Sequence, residues 1–239
     1  MNRIKHLENW LNWQNNIQPL FVPEAVREHI EYLFKDIVPS TSRHSEGTLK
    51  TGKIEIIDLD TLYLSLANCQ KCRLGVTRNK LVFGEGNKNA DLMFIGEGPG
   101  HDEDLTGRPF VGKAGALLTK IIENGLKIPR KSVYIANIVK CRPPANRDPL
   151  PDEAESCIDY LHKQIEMINP SVIVLLGKVA AKHLLNIECS ITKARENSYN
   201  YKGIPVFVTY HPSALLRNEK YKRPVWEDMK KVMKLLRIN

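Results

Sequence analysis

The stretch DLMFIGEGPGHDED, residues 91–104, decides the fold. Asp91–Ile95 is an apolar run of strand length, and the glycines and proline of Gly96–Gly100 make a tight strand-to-helix connection that a backbone can bring close to a ligand. Three more runs of this kind follow at Val133–Val139, Val172–Leu176 and Val206–Tyr210. A helical pattern over Leu59–Ala67 precedes the first run. Others lie at about Ala114–Asn124, Pro151–Ile168, Val179–Leu185 and Pro224–Leu236. Strands alternating with helices predict an α/β domain, its sheet parallel and covered by helices on both faces. Ligands of such sheets bind beyond the carboxyl ends of the strands. The unusual residues of this chain lie there: GEGPG after the first run, Asn137 to Cys141 closing the second, Gly177-Lys178 after the third and HPSALLR after the fourth.

Working outward, the main domain is expected over residues 54–239. Before it, apolar spacing over about residues 3–37 predicts two helices, with Pro23 in a first turn. The polar stretch Pro39–Lys53 is a linker, so residues 1–53 read as a helical N-terminal extension. Trp10 and Trp13 are expected to cover core surface. The longest apolar runs are of strand length, which predicts a soluble, cytoplasmic chain without a membrane span. The net charge is +8, and residues 1–53 carry seven basic and six acidic residues, leaving +7 to the remainder. A basic surface suits a polyanion, although a merely solvated basic face reads the same way.

Cys69 and Cys72 form a C-x2-C pair, and Cys141 and Cys157 a distant second pair, with Cys189 left as a spare. In a reducing compartment this grouping suggests a bound metal group rather than disulfides. Four thiolates suit either a tetrahedral zinc or an iron–sulfur cluster, and a zinc ribbon would have a second C-x2-C.

The remaining motifs each admit a functional and a structural reading. Glu97, Asp102, Glu103 and Asp104 crowd carboxylates on one loop, which suits positioning or activating water, or simple helix capping. Phe110, between a proline and a glycine, can offer a ring face for base stacking, worth about 1–3 kcal/mol per base, or pack as core. Asn137 interrupts an apolar strand, and its amide matches a pyrimidine edge such as that of uracil or bonds to a neighbouring loop. His211 can donate to a developing anion and Ser213 can bond a phosphate. Leu215 and Leu216 followed by Arg217 form an apolar wedge beside a cation, of the kind that fills the gap left by a flipped nucleotide, with one leucine expected to pack inward.

Taken in order, GEGPGHDED, TGRPFVGKAG, NIVKCRPPANR, HPSALLR and the four cysteines resemble the family 4 uracil-DNA glycosylases, the iron–sulfur branch of that superfamily, over roughly Leu59 to Leu236. The resemblance implies a three-layer α/β/α sandwich with a four-stranded parallel sheet. It also implies a monofunctional glycosylase that excises uracil from single- and double-stranded DNA, and a 4Fe–4S cluster on Cys69, Cys72, Cys141 and Cys157. By motif position, Phe110 stacks on the flipped uracil, Asn137 reads its edge and His211 hydrogen-bonds O2 of the departing anion. Glu97 and Glu103 shape the site and its water, Glu97 is the candidate for excluding a C5-methyl group, and Leu216 with Arg217 enters the duplex.

Gly98 stands where the better-known family 1 enzymes have an aspartate, so stabilisation of the leaving anion is expected to carry the rate. Ile138–Asp159 holds no histidine, which separates the chain from the covalently trapping branch of the superfamily. The expected partner is uracil-containing DNA, met by a monomer. The N-terminal extension is a candidate contact for a replication or repair protein. A cluster-bearing DNA-binding protein without glycosylase activity is the alternative.

Overall fold

The computed structural model describes residues 56–238. The two helices and linker expected over residues 1–53, with Trp10 and Trp13, lie outside the described residues.

Helix α1 (Leu59–Leu66) starts at Asp58, whose carboxylate accepts from the Thr61 N–H, and a short helix α2 (Leu74–Thr77) follows the first cysteine pair. The chain continues through β1 (Glu85–Gly86), β2 (Leu92–Gly96), α3 (His101–Thr106) and α4 (Lys113–Lys120) to β3 (Tyr134–Asn137). Next come α5 (Pro151–Ile168), β4 (Val172–Leu176), α6 (Lys178–Leu185) and α7 (Ile191–Glu196). The chain ends with β5 (Tyr199–Tyr201), β6 (Ile204–Thr209), α8 (Pro212–Arg217) and α9 (Lys222–Leu236).

The strands form one mixed sheet of order β1-β3-β2-β4-β6-β5. The pairs β2–β3, β2–β4 and β4–β6 are parallel, whereas β1 and β5 add to the edges antiparallel. The expectation of four strands is therefore corrected to six. The four apolar runs are the central strands, and β1 and β5 escape an apolar pattern because they are short and half-exposed.

Each face of the sheet carries its own core. Met93, Ile95, Ala136, Ile173 and Leu175 pack with α1, α5 and α6, while Leu92, Phe94, Ile135, Val172 and Val174 pack with α4 and α9. The period of two in a strand sends alternate residues into the two cores, which is why β2 and β4 are apolar throughout. Buried Asp228 on α9 accepts two hydrogen bonds from Arg195 of α7, at 2.7 and 2.9 Å, and one from Thr209 at 2.6 Å. This fixes the end of β6 two residues before His211. No helix among the described residues is long and apolar enough to cross a membrane.

Candidate active site

The carboxyl ends of β2, β3, β4 and β6 form one edge, and the backbone there approaches closely enough to require glycine. A Cβ on Gly96 would lie 2.5 Å from Asn137 Oδ1 and 2.6 Å from Phe110 Cζ, so the amide and the ring meet over the bare Cα of β2. Gly177, at the end of β4, has φ +96 and faces the Cβ of His211. The Phe110 ring lies 5.6 Å from the His211 ring, centroid to centroid. Three residues from separate motifs thus line one spot.

Phe110 is buried, with φ 53, a left-handed conformation that aromatic residues rarely adopt. Glu103 holds the loop around it: one carboxylate oxygen accepts from the N–H groups of Val111 at 2.9 Å and Gly112 at 3.0 Å, the other from Gly100 at 3.1 Å. Asp104 is buried and takes the backbone and side-chain N–H groups of Asn79. For these two members of the acidic cluster, loop bracing is the observed role.

Asn137 is 1% exposed, and its Oδ1 is the one buried side-chain N or O atom among the described residues with no hydrogen-bond partner. A buried acceptor left unpaired costs about 1–3 kcal/mol, which a ligand's N–H can recover.

His211 precedes α8. Its Nδ1 accepts from the Ser213 backbone N–H at 3.2 Å and lies 2.7 Å from the Ser213 hydroxyl. A nitrogen that accepts from an amide carries no proton, so the ring proton sits on Nε2 and can donate toward the site. Burial, reinforced by Arg217, pushes the ring pKa down to about 4, leaving the imidazole neutral at pH 7. Ser213, expected at a phosphate, is engaged with this ring in the free protein. Leu215 is buried and Leu216 exposed, so the inward and outward leucines are distinguished, with Arg217 exposed beside the outer one.

Gly98 packs against Val139 and Pro143. Glu97 is half-buried, and its pKa is pushed up to about 7 by burial and by the neighbouring Asp148 carboxylate. Asp148 belongs to the loop after Cys141. Arg147 holds that loop through a two-pronged pair with buried Glu153, at 2.7 and 2.8 Å. The involvement of Asp148 had no signal in the sequence beyond its acidity.

Cys69, Cys72, Cys141 and Cys157 line a single cavity together with Arg78, Lys140 and Tyr160. Arg78 donates to Cys141 Sγ at 3.2 Å and to the Cys69 carbonyl at 3.0 Å, and the Lys140 backbone N–H donates to Cys157 Sγ at 3.4 Å. N–H groups aimed at sulfur suit thiolates that hold a metal group. Among the described residues no group of three or more His, Cys, Asp or Glu is arranged to hold a metal ion; what the four cysteines share is the lining of this cavity. Cys189 stands apart, beside a surface pocket with Lys182 and Glu188.

The model of the uracil DNA glycosylase superfamily matches residues 83–230. The type-4 uracil-DNA glycosylase of Saccharolobus solfataricus is 46% identical over 188 residues, covering 75% of this chain and 87% of the relative. That of Sulfurisphaera tokodaii is 45% identical, covering 74% and 84%, and that of Thermotoga maritima 47% identical, covering 71% and 90%.

Proposed function

The chain belongs to the uracil DNA glycosylase superfamily, as a member of its type-4 family, and we propose that it removes uracil from DNA and leaves an abasic site. It is a glycosylase of DNA repair. The observation that carries the reading at residue level is the orphaned Asn137 Oδ1, buried beside the Phe110 ring and His211. Uracil offers N3–H to that acceptor, a flat face to the ring and O2 to the imidazole. Cytosine has no proton on N3 and would leave Oδ1 unpaired.

The base must leave the stack to reach this pocket, and Leu216 with Arg217 fills the space behind it. The C1′–N1 bond breaks with its electron pair passing to uracil, and the charge that develops on O2 meets the Nε2–H of a neutral His211. A neutral donor serves because its hydrogen bond strengthens as O2 becomes anionic, while an imidazolium would be costly to bury. Water adds to C1′, and the proton it loses is taken up by the uracil anion, so water is the one co-reactant consumed. With Gly98 in place of a carboxylate, Glu97 is the nearest candidate to relay that proton. Glu103 supports the reaction by holding the Phe110 loop. Ser213 orients His211 in the free protein and is open to a phosphate once DNA arrives.

We assign the cysteine cavity to a 4Fe–4S cluster on Cys69, Cys72, Cys141 and Cys157. Four cysteines lining one cavity and the N–H donors to the sulfurs of Cys141 and Cys157 support this. Such a cluster supplies cross-bracing between the α1–α2 segment, the end of β3 and helix α5. The two cores on opposite faces support the three-layer sandwich. Residues 54–239 are the glycosylase domain. Residues 1–53 are an extension dispensable for excision and free to meet a replication or repair protein.

The test is incubation with uracil-containing oligonucleotides followed by alkaline cleavage. Strand scission at the uracil position without added metal or nucleotide is expected. No scission from a brown, cluster-loaded preparation refutes the proposal.

A further inference from the structure

We propose that Lys140 is a positioning residue that ties the cysteine cavity to the base-reading end of β3; this rests on the glycosylase reading above. Lys140 is fully buried, an unusual place for an ammonium group. Its Nζ donates to the backbone carbonyl of Asn137 at 2.8 Å and to Gln164 Oε1 at 2.6 Å. Both partners are neutral, and no carboxylate lies within ion-pair distance of Nζ among the described residues. Opposite charge would reach it from Cys157 and Cys141 once these are thiolates on a bound metal group.

The rest of the residue points the same way. Its own N–H donates to Cys157 Sγ at 3.4 Å, its carbonyl accepts from Val82 at 2.9 Å, and the next residue is Cys141. Gln164, buried on α5, is itself held by donating to the Phe83 carbonyl at 2.9 Å. One side chain therefore bonds the main chain of the residue whose amide reads the base, while its backbone sits on a cluster thiol.

A core role alone does not explain a lysine here. Methionine fills the same length without the cost of desolvating a charge, and replacing buried charges by apolar groups of similar volume is often neutral or stabilising. What methionine cannot do is hold the Asn137 carbonyl. A rotation of that peptide would swing Oδ1 away from the Phe110 ring, and reaction rate is sensitive to such displacements. Lys140 thus sets the aim of Asn137, and an anionic cysteine-bound group makes its burial tolerable.

The test uses full-length K140M and Q164L beside the parent protein, with three readouts: cooperative melting, the rate at which absorbance near 400 nm is lost to a chelator, and kcat and KM on single-stranded uracil DNA. For K140M we expect kcat to fall at least tenfold with KM within threefold, and bleaching to accelerate at least fivefold. Q164L removes one of the two acceptors that fix Lys140 Nζ and so slackens its hold on the Asn137 carbonyl; both effects should be present but smaller, about two- to fivefold. A cooperatively melting K140M with parental kcat overturns the proposal, as does faster bleaching with unchanged kcat. If K140M does not fold, Q164L decides: parental kcat and bleaching overturn the proposal. A parent protein that does not cleave uracil DNA would instead refute the glycosylase reading, and one without absorbance near 400 nm the cluster assignment.

Discussion

Replacing Gly96 by alanine adds one methyl group at the spot where the Asn137 amide and the Phe110 ring converge. The new Cβ would sit 2.5 Å from Asn137 Oδ1 and 2.6 and 2.8 Å from Phe110 ring atoms, all closer than such contacts allow. The backbone itself offers no objection, because Gly96 is not among the residues of positive φ. Neither neighbour can withdraw freely. Asn137 is paired with Gly96 in the parallel ladder, and the Phe110 backbone lies against Gly115, where a Cβ would come within 1.9 Å of its carbonyl oxygen. Overpacking of this kind costs about 1–3 kcal/mol. Spent on misplacing the two groups that hold the base, that cost is a loss of about 5- to 150-fold in kcat/KM, at about 1.4 kcal/mol per factor of ten. The assay is excision from a single-stranded oligonucleotide with one uracil, with binding to a uracil-free strand and thermal melting as controls. A folded Gly96→Ala protein within twofold of the parent in kcat/KM would refute the assignment of Asn137 and Phe110 to the reacting base.

Three other outcomes are expected. His211→Ala removes the only donor assigned to O2 and should lower kcat by about 100- to 1,000-fold with little change in binding to uracil-free DNA, measured under single-turnover conditions. With the Glu97 pKa at about 7 and that of His211 at about 4, excision should rise from pH 6 to 8 and Glu97→Gln should flatten that rise, because His211 does not change charge in the interval. The folded protein holds the Glu97 proton more tightly than the unfolded chain, so that contribution to stability is complete below about 4.5 and lost as pH passes upward through about 7. Melting temperature against pH for the parent and Glu97→Gln checks this sign. Deleting residues 1–53 should leave a soluble protein with parental activity on single-stranded uracil DNA, and loss of activity would make the extension part of the enzyme.

The central strands were legible because both faces are covered, so the apolar runs are unbroken, and Val172–Leu176 and Pro151–Ile168 match the expected bounds. Strand β1 has no such signal: two residues, one of them a glycine of φ 136. In the site, Asn137 and His211 stood out as polar residues at strand ends. The partners that set their behaviour did not, because they come from long-range contacts. For Glu103 the sequence offers water positioning and helix capping alike, and only the fold supplies its three amide partners. Asp148 meets Glu97 from 51 residues away, and Gln164 meets Lys140 across 24. The sequence suggests Ser213 as a phosphate ligand but carries no sign that α8 turns its N–H and hydroxyl onto His211 in the free protein.

The short antiparallel strands at either end of the sheet bear on self-association. A long exposed edge offers an incoming chain a row of free N–H and C=O groups, the usual start of edge-to-edge polymerisation. Among the described residues the outermost strands are β1, of two residues, and β5, of three. Gly84 and Gly86 on one side have a positive φ that breaks a regular strand, and Lys202 and Gly203, also of positive φ, turn β5 back into β6 on the other. A foreign strand therefore finds too short a template on either side, and the apolar strands that would propagate a fibril stay inside.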